Sequence, residues 1–85
     1  MIYDVKILRG AVKQLESLSP NDYYAVKSKI LSLAKDPRPS GYIKLKGRQG
    51  YRVRQGNYRI IYDIFDNILT VRIVRIGHRK DVYRG

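Results

Sequence analysis

The sequence predicts an α+β domain of order β-αα-ββββ, with a two-helix hairpin packed on one face of a mostly antiparallel sheet. Three observations predict it. Helical spacing of apolar residues is confined to one block, Arg9 to Lys35. A Pro- and Gly-rich break, Asp36-Pro37-Arg38-Pro39-Ser40-Gly41, follows that block. After the break come short β-rich runs separated by glycine and Asp-Asn turns. At 85 residues the chain has room for one core, so residues 1–85 are read as a single domain.

Ile2–Leu8 alternates, and Tyr3, Val5 and Ile7 share the side expected on a core. Arg9–Leu18 carries Val12, Leu15 and Leu18, with Leu8 and Ala11 adjoining, as the stripe of an amphipathic helix. Ser19 is placed to cap a second helix, Pro20 suits its first position, and Asp22 stands three residues after the cap. That helix is expected over Pro20–Lys35, buried through Tyr23, Val26, Ile30 and Leu33, with the Lys27 ammonium snorkelling out from the stripe's edge. Tyr42–Lys46 and Tyr51–Gln55 are strands around the turn Gly47-Arg48-Gln49-Gly50. Gly56-Asn57 is expected to supply the left-handed positions of a tight hairpin into Asn57–Phe65. Asp66-Asn67 turns the chain into a final aliphatic strand, Ile68–Ile76, which is expected to break at Gly77. This strand is expected in the sheet interior, between Asn57–Phe65 and Ile2–Leu8.

Composition narrows the chemistry. No cysteine is present, so disulfides, thiolate nucleophiles and zinc knuckles are excluded, and a single histidine makes a zinc site a poor expectation. No cofactor is expected. The N-terminal MIYDVKILRG has neither the apolar core of a signal peptide nor the length of a membrane span, so a cytoplasmic protein is expected. Eighteen Lys+Arg against seven Asp+Glu give a net charge of +11. A domain this basic is suited to a polyanion, because neutralising phosphates releases counterions. A solubilising surface is the plainer reading. Anionic membrane fits less well, because the cations do not line one face of an amphipathic helix. Eight tyrosines suit stacking on bases and suit strand packing equally.

Period-2 alternation sets Arg52 and Arg54 on one side of their strand and Arg59 opposite Tyr58, Ile60, Tyr62 and Ile64 on the next. A hairpin turning at Gly56-Asn57 brings Arg59 toward Arg54. If the tail after Gly77 folds back, Arg79 and Tyr83 join them. Guanidinium forks of this kind match phosphate oxygens bidentately. A solvated basic sheet face is the alternative.

The segments Tyr51-Arg52-Val53-Arg54, Asn57-Tyr58-Arg59-Ile60-Ile61-Tyr62 and Gly77-His78-Arg79-Lys80-Asp81-Val82-Tyr83-Arg84 together resemble the RelE branch of the RelE/ParE toxin superfamily. The resemblance runs over nearly the whole chain. It implies a toxin of a type II toxin–antitoxin pair, an endoribonuclease that cleaves ribosome-bound mRNA in the A site. The implied reaction is metal-free: the 2′-hydroxyl attacks its own phosphate, leaving a 2′,3′-cyclic phosphate and a 5′-hydroxyl. It implies that Arg59 binds the scissile phosphate, Arg79 is a second catalytic arginine, and Tyr83 lies near the attacking hydroxyl. Arg52 and Arg54 match basic positions that contact the message. Lys46, Arg48, Lys80 and Arg84 extend the RNA- and rRNA-contacting surface. The family pattern has lysines at Arg52 and Arg54; arginine holds its proton, which suits charge stabilisation rather than proton transfer. His78 is the side chain whose ordinary titration range lies near neutrality, a candidate acid or base, or else a strand-end residue that positions the tail. A cognate antitoxin is the implied partner. A ParE-like gyrase inhibitor and an RNA-binding module without chemistry are the competing readings. ParE-type toxins generally lack the full set Arg59, Arg79 and Tyr83.

Overall fold

The computed structural model describes residues 2–79. The elements are strand β1 (Asp4–Ile7), helices α1 (Arg9–Glu16) and α2 (Pro20–Ser32), and strands β2 (Ile43–Lys44), β3 (Tyr51–Gln55), β4 (Tyr58–Phe65) and β5 (Thr70–His78), with a single 3-10 turn at Asp66–Ile68 before β5. They form a five-stranded sheet of order β1-β5-β4-β3-β2. β1 pairs with β5 in parallel and every other pairing is antiparallel. The α+β arrangement is the one expected, and β5 lies between β4 and β1.

Alternation builds the sheet as anticipated. Val5 and Ile7 of β1, Val53 of β3, Tyr58, Ile60, Tyr62 and Ile64 of β4, and Val71, Ile73 and Ile76 of β5 face the helices. Ala11 and Leu15 from α1, Val26 and Ile30 from α2, and Leu33 just beyond it complete that core. Burying these side chains is the dominant stabilising term, of order 1.5–3 kcal/mol for each large one. Tyr62 is the largest fully buried side chain, and its hydroxyl donates to the Pro37 carbonyl at 2.7 Å. Burial pushes that phenol far up, so it stays a hydrogen-bond donor at any working pH.

Several local expectations are corrected. Ser19 occupies the N-cap of α2, but its hydroxyl makes no capping bond. Asp22 instead accepts a hydrogen bond from the Tyr58 hydroxyl at 3.2 Å. In the β3–β4 turn only Gly56 takes a left-handed conformation (φ +59°), and Asn57 does not. Ile68 is not in a strand. It stands in the 3-10 turn, 62% exposed, and the chain then passes through a left-handed Leu69 (φ +47°). Nor does β5 break at Gly77, which pairs with Arg59, while His78 pairs with Tyr58. Glycine adds no side chain to the open face there, so the ladder continues past it beside the arginine. A register shift opposite Ile61/Tyr62 leaves Val74 without a ladder partner, a β-bulge.

At the far end from His78, Arg38 grips Asp66 with both nitrogens (3.2 and 2.9 Å), and the Tyr3 hydroxyl donates to the same carboxylate at 2.6 Å. The Arg38 guanidinium also lies 5.7 Å from the Tyr51 ring centroid.

Candidate nucleic-acid interface

The sheet face away from the helices is crossed by rows of cations. In the first row Arg54 and Arg59 are direct cross-strand partners, and Arg59 is in turn opposite Gly77. In the second, Arg52 and Arg75 flank Ile61. In the third, Asp63 is opposite Arg72, which is opposite Lys6. Like charges placed directly opposite one another in a ladder destabilise it.

Arg59 stands apart from its neighbours. Among the described residues it is the buried charged side chain, 4% exposed, whereas Arg54 is exposed and Arg52 and Arg75 are half-buried. Its Nη1 donates to the Tyr58 carbonyl at 3.4 Å. A guanidinium cannot escape burial by losing its proton. Holding one here, beside a second arginine, keeps a fixed positive centre in a partly dehydrated setting. Such a centre is strongest toward an anion that approaches from the open face.

The remaining anticipated residues fall in three places. Arg79 is exposed, and its backbone N–H donates to the Asn57 carbonyl at 2.7 Å, so the chain leaves β5 beside the β3–β4 turn and the first row. Lys46 and Arg48 are exposed in the loop between β2 and β3, outside the rows. That loop closes through Leu45 N–H to the Gly50 carbonyl at 3.0 Å. Gly50 is fixed there by its backbone: φ is +125°, and a Cβ would meet Asp63 Oδ1 and Leu45 Cδ1 at 3.3 Å. Lys80, Tyr83 and Arg84 lie outside the described residues.

His78 stands at the end of the β4–β5 ladder and lines one groove with Arg75. Its cross-strand partner Tyr58 faces the helices, and the two rings meet edge-on, 5.8 Å between centroids and 81° between planes. Burial, and then the hydrogen bond to Asp22, push the Tyr58 phenol up, so this tyrosine is held protonated. The groove beside them, about 450 Å³ in volume, is lined on the helix side by Gln14, Ser17 and Leu18. Among the described residues no group of His, Cys, Asp and Glu is placed to hold a metal.

Comparison with known proteins identifies the family. The family model described as the ParE toxin of the type II toxin–antitoxin system parDE matches residues 5–83. Toxin RelG of Mycobacterium tuberculosis is 34% identical over 99% of both chains. The chain belongs to the RelE/ParE toxin family. A putative toxin RelE1 of Methanocaldococcus jannaschii is 30% identical over 100% of this chain and 99% of its own. The RelE of the archaeal RelE–RelB complex from Pyrococcus horikoshii superposes with a TM-score of 0.84 at 32% identity, covering 95% of this chain and 99% of that one. With these relatives the chain is a type II toxin on the RelE side of the family.

One cation of this RelE-family face, Arg75, escapes a reading by alternation alone. Strict period 2 from Val71 and Ile73 would turn Arg75 toward the helices. The bulge at Val74 resets the phase, so Arg72 and Arg75 share the open face and Ile76 returns to the core. The signal was present in Arg72-Ile73-Val74-Arg75, two apolar residues in succession between two arginines.

Proposed function

We propose that this toxin is an mRNA interferase that cleaves message on the ribosome, with the Arg54–Arg59 row as the seat of the scissile phosphate. The observation that carries this reading is the buried Arg59 directly opposite Arg54, with the start of the tail hydrogen-bonded alongside. In the proposed reaction the 2′-oxygen bonds to the adjacent phosphorus as the bond to the 5′-oxygen breaks. The proton of the 2′-hydroxyl passes to a base and the departing 5′-oxygen gains one. Charge accumulates on the non-bridging oxygens, and fixed guanidiniums facing them lower the barrier without taking part in proton transfer. Arg79 adds a second contact, and Tyr83 is assigned the 2′-hydroxyl by the family resemblance. His78, behind the sheet on Tyr58, is better suited to aiming the tail than to meeting the phosphate. Arg52 and Arg75 grip the adjoining backbone, and Lys46 and Arg48 reach outward to the message or to rRNA.

A cognate antitoxin would hold the toxin silent. Relatives solved as RelE–RelB complexes support such a partner. The basic open face calls for an acidic segment, and the outer side of α2, where Tyr24 and Leu31 are exposed, for an apolar one.

The family model that matches is named for ParE, which favours one second reading, a gyrase poison without ribonuclease activity. Primer extension on translated mRNA, run beside a gyrase–DNA cleavage assay, separates the two. Cuts in codon register with no gyrase–DNA adduct are expected. Trapped gyrase–DNA complexes with intact message would overturn the interferase reading.

A further inference from the structure

The rows of cations do not stop at the phosphate seat. Along β4 they recur at residues 59, 61 and 63, each step being two residues, or about 7 Å of strand. That spacing suits successive phosphates of an extended single strand lying along β4. Beyond the third row the face hollows into an open pocket of about 330 Å³, lined by Lys6, Phe65, Ile68, Thr70 and Arg72.

The pocket is built rather than incidental. Arg72 donates to Asp63 Oδ2 through Nη2 at 2.8 Å and Nε at 3.3 Å. The same guanidinium lies 5.0 Å from the Phe65 ring centroid. A planar cation is thus laid on an aromatic ring and steered by a carboxylate that is itself largely buried, with 16% side-chain exposure. Ile68 is held out in water by the 3-10 turn, and the Thr70 hydroxyl donates to the Ile68 carbonyl at 3.0 Å, which leaves its oxygen able to accept. Lys6 stands across the ladder from Arg72. Aromatic, aliphatic and guanidinium surfaces in one hollow, rimmed by an ammonium, suit a flat heterocycle joined to a phosphate.

We infer that this pocket is a second RNA subsite, which takes a nucleobase of the bound single strand two rows away from the phosphate over Arg59, while Lys6 and Arg72 hold its backbone. The inference rests on the RNA reading above and adds a contact outside the reacting centre. Such a contact would set how much single strand the toxin covers and would favour bases that stack well.

The test uses the full chain with 2′-O-methyl RNA, which binds but has no 2′-hydroxyl to attack. A hexanucleotide long enough to reach the pocket is compared with a trinucleotide that is not. The hexanucleotide is expected to shift the backbone amides from Ile68 to Arg72 in NMR spectra, and the trinucleotide is not. Lys6→Gln and Ile68→Ser, both at exposed positions, are expected together to weaken hexanucleotide binding about tenfold and leave the trinucleotide unchanged. If Arg59→Ala abolishes binding of both probes but the pocket variants bind the hexanucleotide like the wild type, the subsite is wrong and the phosphate seat stands. Absence of RNA binding by the wild-type protein would overturn both. Pocket variants that lose only antitoxin binding would reassign the hollow to a protein partner and overturn the RNA subsite.

Discussion

Two arginines facing each other across an antiparallel ladder repel, and Arg54 and Arg59 are direct cross-strand partners. A sequence selected for stability alone would replace one of them. Arg54→Thr is therefore expected to raise stability by about 0.5 kcal/mol, since cross-strand pairs contribute roughly 0.2–1 kcal/mol. For a domain of this size that is a melting temperature about 2–4 °C higher. The same variant is expected to lose RNA affinity. Differential scanning calorimetry beside an RNA-binding titration checks both. Lower stability without a change in binding would make Arg54 a structural residue. The pairing itself was legible in the sequence, because period 2 and a two-residue turn leave Arg59 only one place to go. The burial of Arg59 was not, since alternation assigns it only to the face away from the helices. The fate of Asp22 was also hidden. Its capping position is a local signal, and its partner Tyr58 is 36 residues away.

At the scale of elements, strand identity and order could be read from alternation and turn residues, but phase within β5 could not. The bulge at Val74 moves Arg75 and Ile76 to opposite faces from those strict alternation assigns. Ile68 was misread for a related reason. Aliphatic character suggests a strand, while the 3-10 turn and the left-handed Leu69 are imposed by closure of β4 onto β5. A clasp at the opposite end also joins distant elements. Asp66 in the 3-10 turn binds Arg38 from the α2–β2 connection and Tyr3 from the entry to β1. The Arg38 hydrogen bond, followed by that from Tyr3, holds the Asp66 carboxyl at about 2, below its ordinary 3.8. A carboxyl depressed on folding stabilises the native state above its unfolded value and ceases to do so as pH falls through the folded one. Urea unfolding midpoints are thus expected to fall between about pH 4 and about pH 2 in the wild type, and to fall less in Asp66→Asn. Equal slopes in the two proteins would show that the clasp contributes nothing to stability.

The whole molecule divides its labour by sheet face. One face is apolar and takes the helices, and the other carries cations in rows from Arg54–Arg59 through Arg52–Arg75 to Lys6–Arg72. The net charge of +11 suits a polyanion, and the topology sets the cations in rows along β4. Residues from the β3–β4 hairpin and the end of β5 meet at one corner, where the phosphate seat is proposed, and the stacking pocket lies at the other. The most direct test of the seat is the single-turnover rate of the proposed cleavage of ribosome-bound mRNA, measured for the wild type, Arg59→Lys and Arg59→Ala. Loss of a fixed donor to a developing phosphate charge is expected to slow cleavage about 100- to 1,000-fold in Arg59→Ala, with Arg59→Lys between the two. Cleavage by Arg59→Ala within about threefold of the wild type, with the fold intact, would contradict the seat.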